Sequence, residues 1–162
     1  LGQVPPHGEK IHPSFLFSND QYGKARAALN QYAAIFPNSK LHEQQLYTAN
    51  EGESEGNLKF AHFHLNGAFF SAMDGPGDNA FTEGFSLVVN CDTQEEIDHY
   101  WNALTEGGTE SQCGWLKDRF GVSWQIVPTV LGKLMSDPEK SGRVVQAFMK
   151  MKKMDIATLE NA

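Results

Sequence analysis

Two histidines, His62 and His64, stand two residues apart in Leu58 to Leu65, a segment that alternates in polarity. On an extended strand residues i and i+2 share a face, so both imidazoles point the same way. Such a pair is a workable chelate for Zn²⁺ or Ni²⁺. It is equally a source of a general base, because imidazole changes charge near neutral pH. The plainer alternative is a pair of solvated or hydrogen-bonded strand residues. Cys113 is a candidate nucleophile or thiol-reactive group, set against the usual reading of an inert, buried cysteine. Trp115 and Trp124 are candidates for the walls of an apolar pocket, although such residues more often belong to the core. Asp118 and Arg119 fall in a turn that they would stabilise, and Lys117 reads as solvated. Glu51, Glu53 and Glu55 form an acidic loop without ligand geometry.

The elements that must position these groups come from a chain of 162 residues, the size of one domain, with 40% hydrophobic and 11% aromatic residues. That is enough apolar material for a core, so a disordered chain is not expected. The net charge is −7 and no block of Lys or Arg occurs, which disfavours a nucleic-acid backbone as partner. No apolar run approaches the roughly 20 residues that span a bilayer. The chain opens at Leu1 without a signal-peptide pattern, leaving open an upstream segment that has been removed. Cys91 and Cys113 make neither a CxxC pair nor a zinc spacing. A reduced, cytoplasmic protein is the plain reading, with one disulfide as the alternative.

Residues 1–10 hold Gly2, Pro5, Pro6 and Gly8 and read as an arm or linker. Ile11 to Phe17 predicts a strand. Ser18-Asn19-Asp20 supplies cap chemistry for a helix whose stripe is Tyr22, Ala25, Leu29, Tyr32, Ala33 and Phe36. Strands follow over Leu41 to Thr48, Leu58 to Leu65 and Ala68 to Met73, the last two joined by the hairpin signal Asn66-Gly67. The order then repeats. Phe85 to Val89 is a strand, and Thr93 with Glu96 makes a capping box. The next helix has the stripe Ile97, Tyr100, Trp101 and Leu104, and Gly107-Gly108 stops it. Two more strands fit Ser111 to Leu116 and Val122 to Val127. From Pro128 the tail reads as helical, with Val144, Val145, Phe148 and Met151 on an apolar face. Strand, helix and strands, twice over, predicts an α+β fold of two βαβββ modules with a C-terminal helical tail.

The run Cys113 to Pro128 (CGWLKDRFGVSWQIVP) resembles the PhnB-like family. Thr93-Gln94-Glu95-Glu96 leading to Tyr100-Trp101, Phe36 to Ser39, and Met151 to Ile156 fit the same pattern. The resemblance covers about residues 11 to 160. It implies the vicinal-oxygen-chelate superfamily of glyoxalase, bleomycin-resistance and extradiol-dioxygenase proteins. It also implies a curved mixed sheet around a cavity and a homodimer. Residues 11–128 would form the two-module domain and residues 129–162 a C-terminal extension. Some members of the family are labelled 3-demethylubiquinone 3-methyltransferase. The usual methyltransferase, however, binds its cofactor at a Gly-rich turn after a parallel strand, and no such turn occurs here.

Glyoxalase-like relatives hold a divalent metal in the cavity. The resemblance puts the first ligand at His12, the last at Gln125, the third near Phe85 and the fourth near Ser71 or Met73. Phe85 cannot ligate, and Gln125 replaces a carboxylate, so this set is incomplete. Alternation sends His12, His62, His64, Ser71 and Gln125 to the side away from the helices, where His12 with His62 or His64, plus Gln125, could take Zn²⁺ or Ni²⁺. The expected ligand-binding set is His12, Ser14, His62, Ser71, Met73, Phe85 and Gln125. The expected metal set is His12, His64 and Gln125, with His64 as catalytic base. Three functions compete. One is a binding protein for a compact, partly apolar small molecule. Another is a metal-dependent lyase, isomerase or thiol transferase acting by Lewis-acid polarisation. The last is methyl transfer to a quinol-like substrate.

Overall fold

In the computed structural model, which describes residues 9–162, the backbone separates into two compact units, one ending at Ala80 and the other spanning Phe81–Ala162. The arm expected over residues 1–10 lies mostly outside the described residues. Each unit contains one βαβββ module. No helix among the described residues is long and apolar enough to cross a membrane.

The first unit has strand β1 (Ser14–Phe17), helix α1 (Ala25–Ile35), then β2 (Lys40–Leu46), β3 (Leu58–Leu65) and β4 (Ala68–Asp74). Its sheet runs β1-β4-β3-β2, with β1 parallel to β4 and the other pairs antiparallel. The bounds of β3 match the expected segment because polarity alternates over Ala61 to Leu65 and a tight turn closes it. Asn66 and Gly67 both have positive φ, 47° and 82°, as a two-residue type I′ turn requires.

One pleat face carries Phe15, Phe17, Ala61, Phe63, Phe70 and Ala72, all buried against Ala25, Ala28, Leu29 and Tyr32 of α1. Phe63 and Phe70 stack with centroids 5.5 Å apart, and Phe15 stands 5.8 Å from Phe70. The helix stripe differs from expectation: Ala28 is buried, Ala33 is only half-buried, and Tyr22, also half-buried, precedes the helix.

The start of α1 is a correction. Ser18-Asn19-Asp20 does not cap it. Ser18 Oγ donates to Gly77 O at 2.9 Å, and Asn19–Gln21 forms a separate 3₁₀ turn. The helix begins at Ala25, where a distant carboxylate does the capping. Asp74, 1% exposed at the end of β4, accepts from Gly23 N (2.9 Å), Ala25 N (3.2 Å) and Leu58 N (2.8 Å). The acidic loop is tied to its surroundings: Glu51 accepts from Thr48 N and pairs with Lys59, and Glu53 accepts from the Tyr22 hydroxyl. These contacts hold the Glu51 carboxyl down at about 2, the Lys59 hydrogen bond contributing most.

The second unit repeats the plan with β5 (Ser86–Cys91), α2 (Gln94–Thr105), β6 (Thr109–Glu110), β7 (Trp115–Lys117) and β8 (Ser123–Pro128). Its sheet order, β5-β8-β7-β6, is the counterpart of the first. The strand expected over Ser111 to Leu116 is split into the short β6 and β7, because Cys113 and Gly114 take positive φ, 58° and 81°, which breaks the extended chain. The capping box forms with a variation: Glu96 N donates to Thr93 Oγ1, and the Glu96 carboxylate reaches back to Asp92 N at 2.6 Å. Ile97, Trp101 and Leu104 are buried with Cys91, Leu116, Trp124 and Ile126, while Tyr100 stays at the margin. A Cβ at Gly108 would stand 2.2 Å from Lys117 O, so this glycine permits close backbone packing after the helix.

The tail forms α3 (Val130–Met135), α4 (Ser141–Phe148) and α5 (Ile156–Glu160) and belongs to the second unit. The Gln94 side chain anchors it, donating to Met154 O (3.1 Å) and accepting from Ile156 N (2.9 Å).

A buried carboxylate holding three backbone N–H groups leaves those groups unsatisfied when it is removed. Asp74→Ala should therefore lower the unfolding free energy by about 3 kcal/mol in urea denaturation, whereas Asp20→Ala, at an exposed position, should change it by less than about 0.5 kcal/mol.

Candidate functional site

The face of the first sheet opposite α1 collects the polar residues. In register, Ser71 pairs with both Ser14 and His62, and Phe69 pairs with His64. Partnered residues share a face, so Ser14, Leu16, Phe69, Ser71, Met73, His62 and His64 lie together. His12, two residues ahead of β1, joins them: its Nε2 lies 3.2 Å from Ser71 Oγ. The structure thus brings together His12, His62, His64, Ser71 and Met73 as expected, with Ser14 exposed at the edge.

Phe69 is the centre of the group. Its ring centroid lies 4.8 Å from His12, 5.0 Å from His62 and 5.1 Å from His64, and Phe60 flanks His62 at 4.6 Å. His62 is 7% exposed. Burial, and then the neighbouring charge of His12, hold its pKa below the ordinary imidazole value, which favours a neutral ring. His12 Nδ1 is shielded from solvent and has no hydrogen-bond partner.

Sequence reasoning missed His42. Strand β2 bulges between Leu41, opposite Phe63, and Gln44, opposite Ala61, so two residues, His42 and Glu43, stand against His62 alone. His42 Nε2 then lies 2.7 Å from His64 Nδ1, with one nitrogen donating and the other accepting. The only signal was the polar character of Lys40 to Gln45, which does not locate a bulge.

In the second unit Gln125 lies opposite Val88 and Trp115, on the face away from α2, and its Nε2 donates to Ser86 Oγ at 2.9 Å. Trp124 points the other way and is buried, its Nε1 donating to Asp118 Oδ2 at 2.9 Å. Asp118 also accepts from Phe120 N and Val122 N, so it stabilises the turn as expected. Phe85 precedes β5 and is exposed. Both cysteines are free. Burial is the main reason the Cys91 thiol is pushed up to about 11, with Glu96 and Asp92 adding to the effect.

The family described as 3-demethylubiquinone-9 3-methyltransferase matches residues 9–127. The PhnB protein of Bacillus cereus is 33% identical, with 75% of this chain and 100% of that one covered at a TM-score of 0.70. The chain belongs to this PhnB-like family. Protein PA1353 of Pseudomonas aeruginosa shares the fold at 22% identity, with 74% and 97% of the two chains covered and a TM-score of 0.62. So does the fosfomycin resistance protein FosX of Listeria monocytogenes, at 14% identity, 80% and 98% coverage and a TM-score of 0.54. A further FosX structure is complexed with Mn(II) and a sulfate ion. No curated protein gives a significant match.

The donors of this PhnB-like chain fit a resident divalent ion poorly. Among the described residues no three of His, Cys, Asp and Glu converge to hold one. His64 Nδ1 meets His42, His12 Nε2 meets Ser71, and the Gln125 amide nitrogen meets Ser86. None of the expected trio His12, His64 and Gln125 carries the negative charge that a hard cation favours.

The lowered His62 pKa has a definite sign. Above about 6.5 the ring is neutral in folded and unfolded chains alike. As pH falls below that value the unfolded chain takes up the proton first, so His62 makes the fold less stable until its own lower midpoint is passed. A proton NMR titration should place His62 below the ordinary imidazole midpoint. His12→Ala, which removes one of the two causes, should move it upward.

Proposed function

We propose that the histidine-aromatic face of the first sheet binds a compact, planar, hydroxyl-bearing small molecule without needing a resident metal. The observation that carries this reading is the set of His12, His62 and His64 around the Phe69 ring. Imidazole and phenyl rings stack well on a planar ligand, and water holds such surfaces weakly. The unpartnered Nδ1 of His12 supports the hydroxyl. A buried polar atom without a partner costs about 1–3 kcal/mol. A hydroxyl reaching it can donate or accept, and so suits either tautomer of the ring. Ser14, Ser71 and Met73 would border the ligand. His64, linked to His42, would act as proton acceptor if the bound molecule reacts.

The metal-dependent reading keeps one support, the Mn(II) complex of the structural neighbour FosX. His12 and His64 would supply imidazole ligands in that case. Methyl transfer has behind it the family description and the same description of the Bacillus cereus PhnB protein. Both sheets are mixed, with helix cover on one face, and neither is the open parallel sheet at whose strand ends dinucleotide-type cofactors sit. The free cysteines support a reducing compartment such as the cytoplasm. The homodimer implied by the family would be checked by sedimentation.

Phenol and toluene are suitable probes, since they share a ring and differ in the hydroxyl. In ¹H–¹⁵N NMR titrations phenol should shift the amides of His62, Phe69 and Ser71 and bind more tightly than toluene. Phe69→Ala should weaken phenol at least tenfold, and EDTA should leave its affinity unchanged. Phenol binding that disappears with EDTA and returns with Mn²⁺ would overturn this reading in favour of the metal-dependent one.

A further inference from the structure

The contact between His12 and Ser71 on the histidine face can be made in two ways. His12 Nε2 lies 3.2 Å from Ser71 Oγ. The main chain holds the two residues together: Ser71 N donates to Pro13 O at 3.0 Å, and Ser14 stands opposite Ser71 in register. Ser71 is buried, and among the described residues its hydroxyl meets no polar partner but His12. The other ring nitrogen, His12 Nδ1, is shielded and has no partner at all.

In one arrangement the ring donates from Nε2 to Ser71 Oγ. The serine proton then has no acceptor and His12 Nδ1 is an acceptor without a donor, so two shielded groups go unmatched. In the other, Ser71 donates to Nε2. The serine is then satisfied, the neutral ring carries its proton on Nδ1, and one N–H alone goes unmatched. Shielded polar groups without partners are costly, so the second arrangement is favoured. The N–H it leaves calls for an acceptor. The His12 ring stands at 76° to Phe69 and 78° to His62. A flat molecule stacked on either neighbour cannot also stack on His12, whose contribution is therefore polar.

We infer that Ser71 fixes the His12 proton on Nδ1, and that this N–H selects planar molecules with a neutral acceptor oxygen, a carbonyl above all. Such selection rests on the binding face proposed above and narrows its ligands. A hydroxyl oxygen also accepts from the N–H, but its own proton then needs a partner. A carbonyl oxygen brings no such proton. A carboxylate would give up its hydration among phenyl rings for a single N–H in return. Ser71 acts through His12 and is a positioning residue.

Long-range ¹H–¹⁵N correlation spectra of the full chain distinguish the two neutral imidazole tautomers at about pH 8.5, well above the ordinary imidazole midpoint of about 6.5. In the native protein without ligand, His12 should show its proton on Nδ1. Ser71→Ala should move it to Nε2, where a histidine ring left to itself mainly carries it. Ser71→Thr, which keeps the hydroxyl, should restore Nδ1–H, with circular dichroism confirming that both variants fold. The native spectrum decides the tautomer even if a variant does not fold. Acetophenone, an acceptor without a donor, should bind the native protein at least as tightly as phenol. It should bind about tenfold more tightly than toluene, the worth of one hydrogen bond, and Ser71→Ala should remove that margin. A native His12 protonated on Nε2 would overturn the proposal, and so would acetophenone binding no tighter than toluene. If phenol still bound more tightly than toluene, this inference alone would fall. If phenol and acetophenone both bound no better than toluene, the binding face would fall with it.

Discussion

The carboxylate of Asp74 is the constraint on which the first unit depends. It accepts three backbone N–H groups from segments far apart in sequence: the turn before α1, the first residue of α1 and the first residue of β3. Those groups have no partner of their own, since a helix start and a strand start both leave donors free. One residue at the end of β4 therefore fixes where the helix begins and where β3 enters the sheet. The register that follows sets Ser71 beside His62 and Phe69 beside His64. The aromatic grouping thus traces back to a residue on the opposite pleat face. Asp118 does related work in the second unit, where it closes the turn into β8 and holds the Trp124 indole, but its reach is local.

This explains which parts of the fold were legible in sequence. Strand β3, the Asn66-Gly67 turn and the Thr93 cap rest on interactions within a few residues, and their signals survive intact. The start of α1 was misplaced because a carboxylate about fifty residues away supplies the cap that Ser18 to Asp20 advertised. The repeated module order could be read because both copies alternate apolar strands with amphipathic helices. The break between β6 and β7 could not, because Cys113 takes a left-handed conformation that nothing in its side chain announces.

The candidate site divides in the same way. Pleat alternation is a local rule, and it placed His62, His64 and Ser71 on one face correctly. His12 followed because the segment ahead of β1 continues the same direction. His42 escaped because a bulge adds one residue to an edge strand with little apolar patterning to reveal it. Yet His42 changes the chemistry. Its contact with His64 turns an apparent i, i+2 chelating pair into one histidine engaged across strands and another buried among phenyl rings.

That difference bears on what fold likeness to FosX can carry. A shared arrangement of strands supplies positions for inward side chains, and their types decide the chemistry. A hard ion such as Mn(II) favours carboxylate oxygen, whereas the polar groups expected as ligands here are two imidazoles and an amide, each with a nitrogen hydrogen-bonded to Ser71, His42 or Ser86. Burial of His62 reinforces this, since the desolvation that keeps its ring neutral also disfavours an uncompensated cation beside it.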